Sequence, residues 1–233
     1  SVDDCKLLQA DLDAICNCAA INHFHINIKK SETMVFLRHK TKVNFGYCIN
    51  NSPLTEVSSV KDLGVIFDPK LKFSLHLDHI IKKANRSLGF VLRNTVRLHD
   101  IDTVVMLYNA LVRSKLEYCS PIWFPTTKKE RRRVERIQDR FVRILFFRHN
   151  GFYPTFPNQI SYSDLLSHLD MDSLSVRRDK ADLTFLFKLI NSYFSDSILL
   201  NKISFRLQIP GLRLKLLPLF SQDLYPNDSN LSR

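Results

Sequence analysis

Apolar and polar positions change their rhythm twice along the chain. In residues 1–19, Leu8, Leu12, Ile15 and Ala19 recur on one helical face. Ser1 and Asp4 have capping-box spacing, and Asp3 and Asp4 put two carboxylates in the first turn, where they favour the helix dipole. A β-rich stretch follows. "TMVFLR" (33–38) reads as a strand. "NFGYCINN" (44–51) and "SPLTEV" read as a hairpin turning at Asn50-Asn51-Ser52-Pro53. "DLGVIF" (62–67) reads as a third short strand, ended by Asp68-Pro69.

From about residue 70 the period becomes helical. Phe73, Leu77, Ile80, Ile81, Ala84, Leu88, Val91 and Leu92 form one long apolar stripe. Asp100-Ile101-Asp102 opens a second helix, with Val104, Val105, Tyr108, Leu111 and Val112 on its inner face. "KLEYCSPIWFPTTKKE" (115–130) interrupts it with two prolines and the single tryptophan, Trp123, which reads as a loop anchor in the core. A third helix, about 128–147, carries Val134, Ile137, Phe141, Ile144 and Leu145. A Gly- and Pro-containing loop (148–159) precedes two more helices, near 163–169 and 173–194. The tail from about 200, with Pro210, Pro218 and Pro226, has no sustained period and is expected to be irregular. The expected class is α+β: one helix with a small antiparallel sheet, then an all-helical part.

Composition sharpens this picture. The chain has 233 residues, 45% hydrophobic and 24% charged, which is a core-forming composition rather than a disordered one. The formal net charge is +11, and that excess points to a polyanionic partner, nucleic acid before an anionic membrane surface. No apolar run approaches the roughly 20 residues that cross a bilayer. The N-terminus lacks a basic-then-apolar signal pattern, so an intracellular protein, nuclear or cytoplasmic and not secreted, is expected. The chain opens on a helix without an initiating Met, so a piece of a longer protein is expected. Cys5, Cys16, Cys18, Cys48 and Cys119 are odd in number and irregular in spacing, which suits reduced thiols and no zinc knuckle. The five glycines form no phosphate-binding loop, and neither a Gly-x-Ser-x-Gly elbow nor a His-Glu-x-x-His helix occurs.

The strongest chemical signal is the third helix, "KKERRRVERIQDRFVRILFFR". At about 100° per residue, Arg132, Arg136, Arg140 and Arg143 fall within about a quarter-turn, opposite the apolar set. Guanidinium forks suit phosphate oxygens. The bland alternative is a solvated face on which Glu130, Glu135 and Asp139 form local ion pairs with the arginines. A second basic helix shifts the balance towards a polyanion: Lys82, Lys83, Arg86, Arg93 and Arg97 flank the stripe of residues 73–92. His76 and His79, three apart on a helix, and His23 and His25 lack further ligands and read as surface or half-buried histidines. Lys29 and Lys30 read as two surface lysines before a strand.

Six segments, taken in order, resemble a family: "LLQADLDAI", "INIKKSETMVF", "VKDLGVIFDPKLKFSLHLDHIIKKANRSLGFVLR", "LVRSKLEYCSPIW", "ERIQDRFVRIL" and "DLLSHLDMDSLSVRRDKADLTFLFKLI". The chain looks like the C-terminal part of the reverse transcriptase of non-LTR, LINE-type retrotransposons of the jockey group. The resemblance implies a truncated right hand. Residues 1–68 would end the palm, 69–147 would form the helical thumb, and 148–233 would begin the region beyond it. Ile26-Asn27-Ile28-Lys29-Lys30-Ser31 stands where the family has its "LN..KT" motif, which makes Lys30 the lysine near the incoming nucleotide, with a role towards the pyrophosphate leaving group. Ser31 replaces the usual Thr. Asp62-Leu63-Gly64-Val65 matches the hairpin that grips the primer end, with Gly64 allowing close backbone approach. "CNCAAINHFHIN" lacks the family's Trp before the lysine motif; Cys16 or Cys18 occupies that neighbourhood.

The resemblance also implies an incomplete enzyme. Polymerases of this class use two metal ions held by carboxylates on an early palm strand and an x-Ala-Asp-Asp hairpin. Both lie upstream of the palm helix that opens this chain, and Asp3-Asp4 follows Val2 instead of Ala. No cofactor is expected in this fragment, with Mg²⁺ belonging to the intact enzyme, and no polymerase activity is expected of it alone. Its partners would be an RNA–DNA or DNA duplex and the missing N-terminal palm and fingers. A non-catalytic nucleic-acid-binding protein and a remnant without function are the competing readings.

Overall fold

The computed structural model describes residues 2–36, 43–125, 127–154, 160–194 and 196–200. The expected irregular tail lies outside the described residues, as do Ser1 of the expected capping box and the end of the expected strand 33–38. Helices joined by short strand pairs make the chain mixed helix and sheet, an α+β architecture. It divides into two compact units, Ser1–Arg178 and Asp179–Arg233.

In the first unit, α1 (Val2–Ile21) is followed by one 3₁₀ turn (Ile28–Lys30) and four two-residue strands. These are β1 (Glu32–Thr33), β2 (Cys48–Ile49), β3 (Ser52–Pro53) and β4 (Thr55–Glu56). The expected β2–β3 hairpin forms with a tighter turn: Asn50 and Asn51 take positive φ (48° and 59°), a conformation asparagine tolerates, and Ser52-Pro53, expected in the turn, form β3. The expected single antiparallel sheet does not form. β1 pairs in parallel with β4, and the described strands make three separate two-stranded ribbons.

The third ribbon corrects the strand expected at 62–67. It is a hairpin of β5 (Val60–Asp62) and β6 (Val65–Phe67), with Asp62 opposite Val65 and Leu63-Gly64 at the turn. Leu63 sits at φ 44° and Gly64 at φ 89°. Leu63 carries no turn signal, so the local pattern reads as one strand and a hairpin at Asp62–Val65 is implied only by the resemblance. The Asp68 side chain then organises the entry to α2 (Ser74–Asn94), accepting from the Lys70 and Phe73 N–H groups at 3.0 and 2.8 Å.

α2 and α5 (Lys128–Asn150) frame the core. Between them, α3 (Ile101–Tyr108), a π-helical turn (Asn109–Arg113) and α4 (Ser114–Glu117) form one continuous rod. Its buried residues are Val104, Tyr108, Val112 and Leu116, a strict four-residue spacing. In an α-helix that spacing drifts about 40° per step, and the wider π turn takes up the drift. Leu111, expected inside, is therefore turned outward. Trp123 is fully buried, and its indole N–H donates to the Tyr118 carbonyl at 2.7 Å, so the loop anchor is confirmed. α5 begins with a capping box between Thr127 and Glu130 and ends at Gly151 with φ 77°.

The core runs from Val65 through Leu77, Ile80, Ala84, Leu88 and Val91 of α2 to Val134, Phe141 and Leu145 of α5. It continues into α6 (Tyr162–His168) at Leu165 and Leu166, and to Leu174 at the start of α7 (Leu174–Ile190). Tyr108 stacks on Phe141, with ring centroids 4.0 Å apart and planes 8° from parallel. Each fully buried large side chain of this kind contributes about 1.5–3 kcal/mol. This one core crosses residues 68 and 147. In the second unit, Phe185 and Phe194 lie 5.3 Å apart, and α8 (Ser197–Leu200) follows.

Candidate nucleic-acid interface

The seam of α5 turns Val134, Ile137, Phe141 and Leu145 inward and leaves Arg132, Arg136 and Arg140 exposed. Whether these arginines are neutralised locally depends on three acids. Glu130 accepts from the Thr127 backbone N–H and hydroxyl (3.3 and 3.1 Å) and from Ser74 Oγ (3.3 Å). Glu135 points inward and accepts from the Tyr162 hydroxyl at 2.6 Å and the Leu174 N–H at 2.9 Å. Burial and that carboxylate push the Tyr162 hydroxyl well above its ordinary range, so it stays a donor. Asp139 pairs with Arg143 at 2.7 Å. All three acids are engaged elsewhere, and among the described residues Arg132, Arg136 and Arg140 have no acidic partner.

Arg143 departs from its expected role. The chain reverses at Gly151, and Arg143 Nη1 donates to the Pro154 carbonyl at 3.0 Å. Its guanidinium is spent on that fold-back and on Asp139, so it ties the end of α5 and leaves the exposed row. Lys129, unremarked in sequence, is exposed on the same side at the start of the helix.

On α2, Lys82, Arg86 and Arg93 lie within about 40° of one another, opposite Ala84, Leu88 and Val91. Lys83 is exposed nearer the rim. A Cβ on Gly89 would come within 3.2 Å of Arg93 Nη1, so Arg93 folds back across the bare backbone of Gly89. Arg97 is exposed just beyond the helix end.

Side-chain bridges set the relation of the two helices. Ser74 meets Glu130, Asp78 pairs with Arg133, and Arg148 donates to the Leu92 carbonyl (2.6 Å) and Thr95 Oγ1 (3.1 Å). These partners are 56, 55, 56 and 53 residues apart, so α2 and α5 run parallel and in register. Ser74 and Asp78 mark the side of α2 turned to α5, about a quarter-turn from its basic row. Glu130 and Arg133 mark the side of α5 turned to α2, about a quarter-turn from its basic row in the opposite sense. For parallel helices, opposite rotations bring both rows to the same outer face. Lys82 then stands level with Arg136, and Arg86 with Arg140, in rungs about 6 Å apart along the axes. The electrostatic sign is felt at His79, whose imidazole is pushed below its ordinary range by burial and by Lys83, Lys61 and Lys82. Lys61, from the β5–β6 hairpin, is a contributor that sequence reading missed.

His76 departs from its expected surface or half-buried placement. It is 1% exposed, its Nδ1 accepts from the Ile66 N–H at 3.2 Å, and its ring meets Trp123 edge-on at 5.3 Å. Burial, then the neighbouring His79 and Lys83, lower its pKa to about 4. It is a neutral structural group that fixes the hairpin to α2. At the hairpin tip, the Tyr118 hydroxyl donates to the Leu63 carbonyl at 2.9 Å, while Leu63 itself is 82% exposed. Asp62 is exposed, Gly64 makes the turn and Val65 enters the core. Lys30 ends the isolated 3₁₀ turn, exposed.

A cleft of about 490 Å³ lies between α3, the end of α5 and α6, floored by Val105, Leu145 and Leu165 and rimmed by His149 and His168. Among the described residues, no three His, Cys, Asp or Glu side chains come together as a metal site. Asp3 pairs with Lys6 at 3.5 Å in the first turn of α1. No described helix is long and apolar enough to cross a membrane. The chain matches no protein-family model, no curated protein and no solved structure.

Proposed function

We propose that this chain is the C-terminal part of a LINE-type reverse transcriptase and that the α2/α5 face holds the template–primer duplex. The observation that carries the reading is the fate of the acids. Glu130, Glu135 and Asp139 are bound away from Arg132, Arg136 and Arg140, so the guanidinium row is left to an external anion. The parallel register of α2 and α5 adds Lys82, Arg86 and Arg93 to the same face. A two-helix basic face of this kind binds the phosphate backbone without reading sequence. The β5–β6 hairpin, with Asp62, Leu63, Gly64 and Val65, is assigned to the primer end, and Lys30 to the nucleotide side of the palm. Catalysis belongs to the intact polymerase with its Mg²⁺, so primer extension by this chain alone stays at background.

The test is binding of an RNA–DNA hybrid duplex, followed by fluorescence anisotropy as salt is raised. Affinity should fall steeply with salt and should not depend on duplex sequence. Absence of any salt-dependent association with the hybrid or with duplex DNA would remove this function.

A further inference from the structure

We propose that Phe147 and Tyr153 form a stacking site for an unpaired base at the end of the bound duplex; this rests on the function proposed above. Phe147 lies on α5 about 60° round from Arg132, inside the angular range of the exposed arginine row. By the register of the two helices it stands level with Leu92 and Arg93 of α2, at the far end of the basic face. The turn at Gly151 brings Tyr153 back against it, with ring centroids 6.1 Å apart and planes 52° apart. The Arg143–Pro154 hydrogen bond of 3.0 Å fixes that returning segment.

The neighbouring pair shows what distinguishes this one. Phe146 meets Phe152 at 5.4 Å, edge to face, and Phe146 packs on the core. Phe147 and Tyr153 have no place in the core and remain 46% and 43% exposed. Two half-exposed rings in line with a guanidinium row offer what an unpaired base meets in single-strand binding: a π-face for the base and, along the row, cations for the backbone. The rings are too close and too tilted to admit a base between them, so the base stacks on the outer face of the pair. The length of the basic rows sets the duplex contact, and the aromatic pair marks where pairing ends.

The experiment compares one duplex with blunt ends against the same duplex with a three-nucleotide single-stranded overhang, using the full chain and fluorescence anisotropy. The overhang should tighten binding by about tenfold. The Phe147→Leu/Tyr153→Leu variant should bind the blunt duplex as before and lose the preference. A 2-aminopurine at the first overhang position should be quenched on binding the unaltered chain, a readout that needs no variant to fold. Blunt binding with no gain from the overhang and no quenching would overturn this site alone. A double variant that keeps the preference would also overturn it. Failure of every duplex to bind in a salt-dependent way would overturn both this site and the proposed function.

Discussion

Residues 2–57 and residues 60–178 use apolar side chains very differently. The first stretch holds a 20-residue helix and four strands, yet Ile49 is its one buried side chain among the described residues. Leu7, Leu8, Ile15 and Ile21 of α1 stay exposed. The second stretch supplies every member of the core cluster, from Val65 to Leu174. What ties the first stretch together is polar. The Gln9 side-chain amide behaves as a strand partner for Cys48, donating to its carbonyl at 2.9 Å and accepting from its N–H at 3.0 Å. An apolar stripe becomes a core only where a second stripe meets it. α2 and α5 meet in register over their whole lengths, whereas α1 half-buries only Cys5, Gln9, Leu12, Cys16 and Ala19 and leaves Leu8 and Ile15 exposed at the edge of that face.

The two stretches should differ most in how core truncations destabilise them. Phe141→Ala should cost about 3–5 kcal/mol by urea unfolding, and Ile49→Ala no more than about 2. Equal losses would show that the two stretches share one cooperative core. Acid gives the next largest effect. The folded pKa of His76, about 4, lies below the ordinary value of 6.5. Between those two values the unfolded chain takes up a proton that the folded chain refuses. Stability should therefore fall as pH drops from 6.5 to 4 and be flat, for this group, above 6.5. The loss is about 3 kcal/mol at most. Urea midpoints across that window should slope less in His76→Gln, and an unchanged slope would free His76 from this role.

Turns and surface groups carry smaller effects. Gly64→Ala forces a Cβ onto a residue at φ 89° and should cost about 1 kcal/mol, while the new methyl meets Tyr118 at an ordinary 3.4 Å. Gln9→Ala should speed hydrogen exchange at the Cys48 amide by about tenfold while leaving the global urea midpoint in place. A global shift of the same size would make the first stretch part of the main folding unit. Least of all, replacing Arg132, Arg136 and Arg140 by Gln should change stability by no more than about 0.5 kcal/mol, because they touch no acid.

Much of this architecture is written in local pattern. The stripe of Leu77, Ile80, Ala84, Leu88 and Val91 and, on α5, Val134, Ile137, Phe141 and Leu145 are buried where periodicity places them, and Trp123 is buried as the expected loop anchor. The turn at Asn50-Asn51 is legible too, because asparagine tolerates positive φ. The features that escape sequence reading depend on contacts distant in the chain. Leu63 sits at positive φ in a turn whose carbonyl accepts from the Tyr118 hydroxyl, 55 residues away. The parallel pairing of β1 with β4 sets Glu32 against Thr55 and Thr33 against Glu56, partners that no local pattern brings together. Of the candidate interface, the two basic helices were legible, but their common face was not. That face depends on the 53–56-residue register set by the Ser74, Asp78 and Arg148 bridges. Arg143 was placed in the row by its spacing and removed from it by the fold-back at Gly151.

The most direct measurement is the slope of log affinity against log salt for an RNA–DNA hybrid. It should be taken for the unaltered chain, for Arg132→Gln/Arg136→Gln/Arg140→Gln and for Lys82→Gln/Arg86→Gln/Arg93→Gln. Each neutralised phosphate adds about −0.9 to the slope on B-form DNA, and the hybrid should behave comparably. Two rows on one face predict that each triple variant flattens the slope by about half and weakens binding regardless of sequence. A slope near zero for the unaltered chain, or one triple variant that leaves it unchanged, would contradict the shared face.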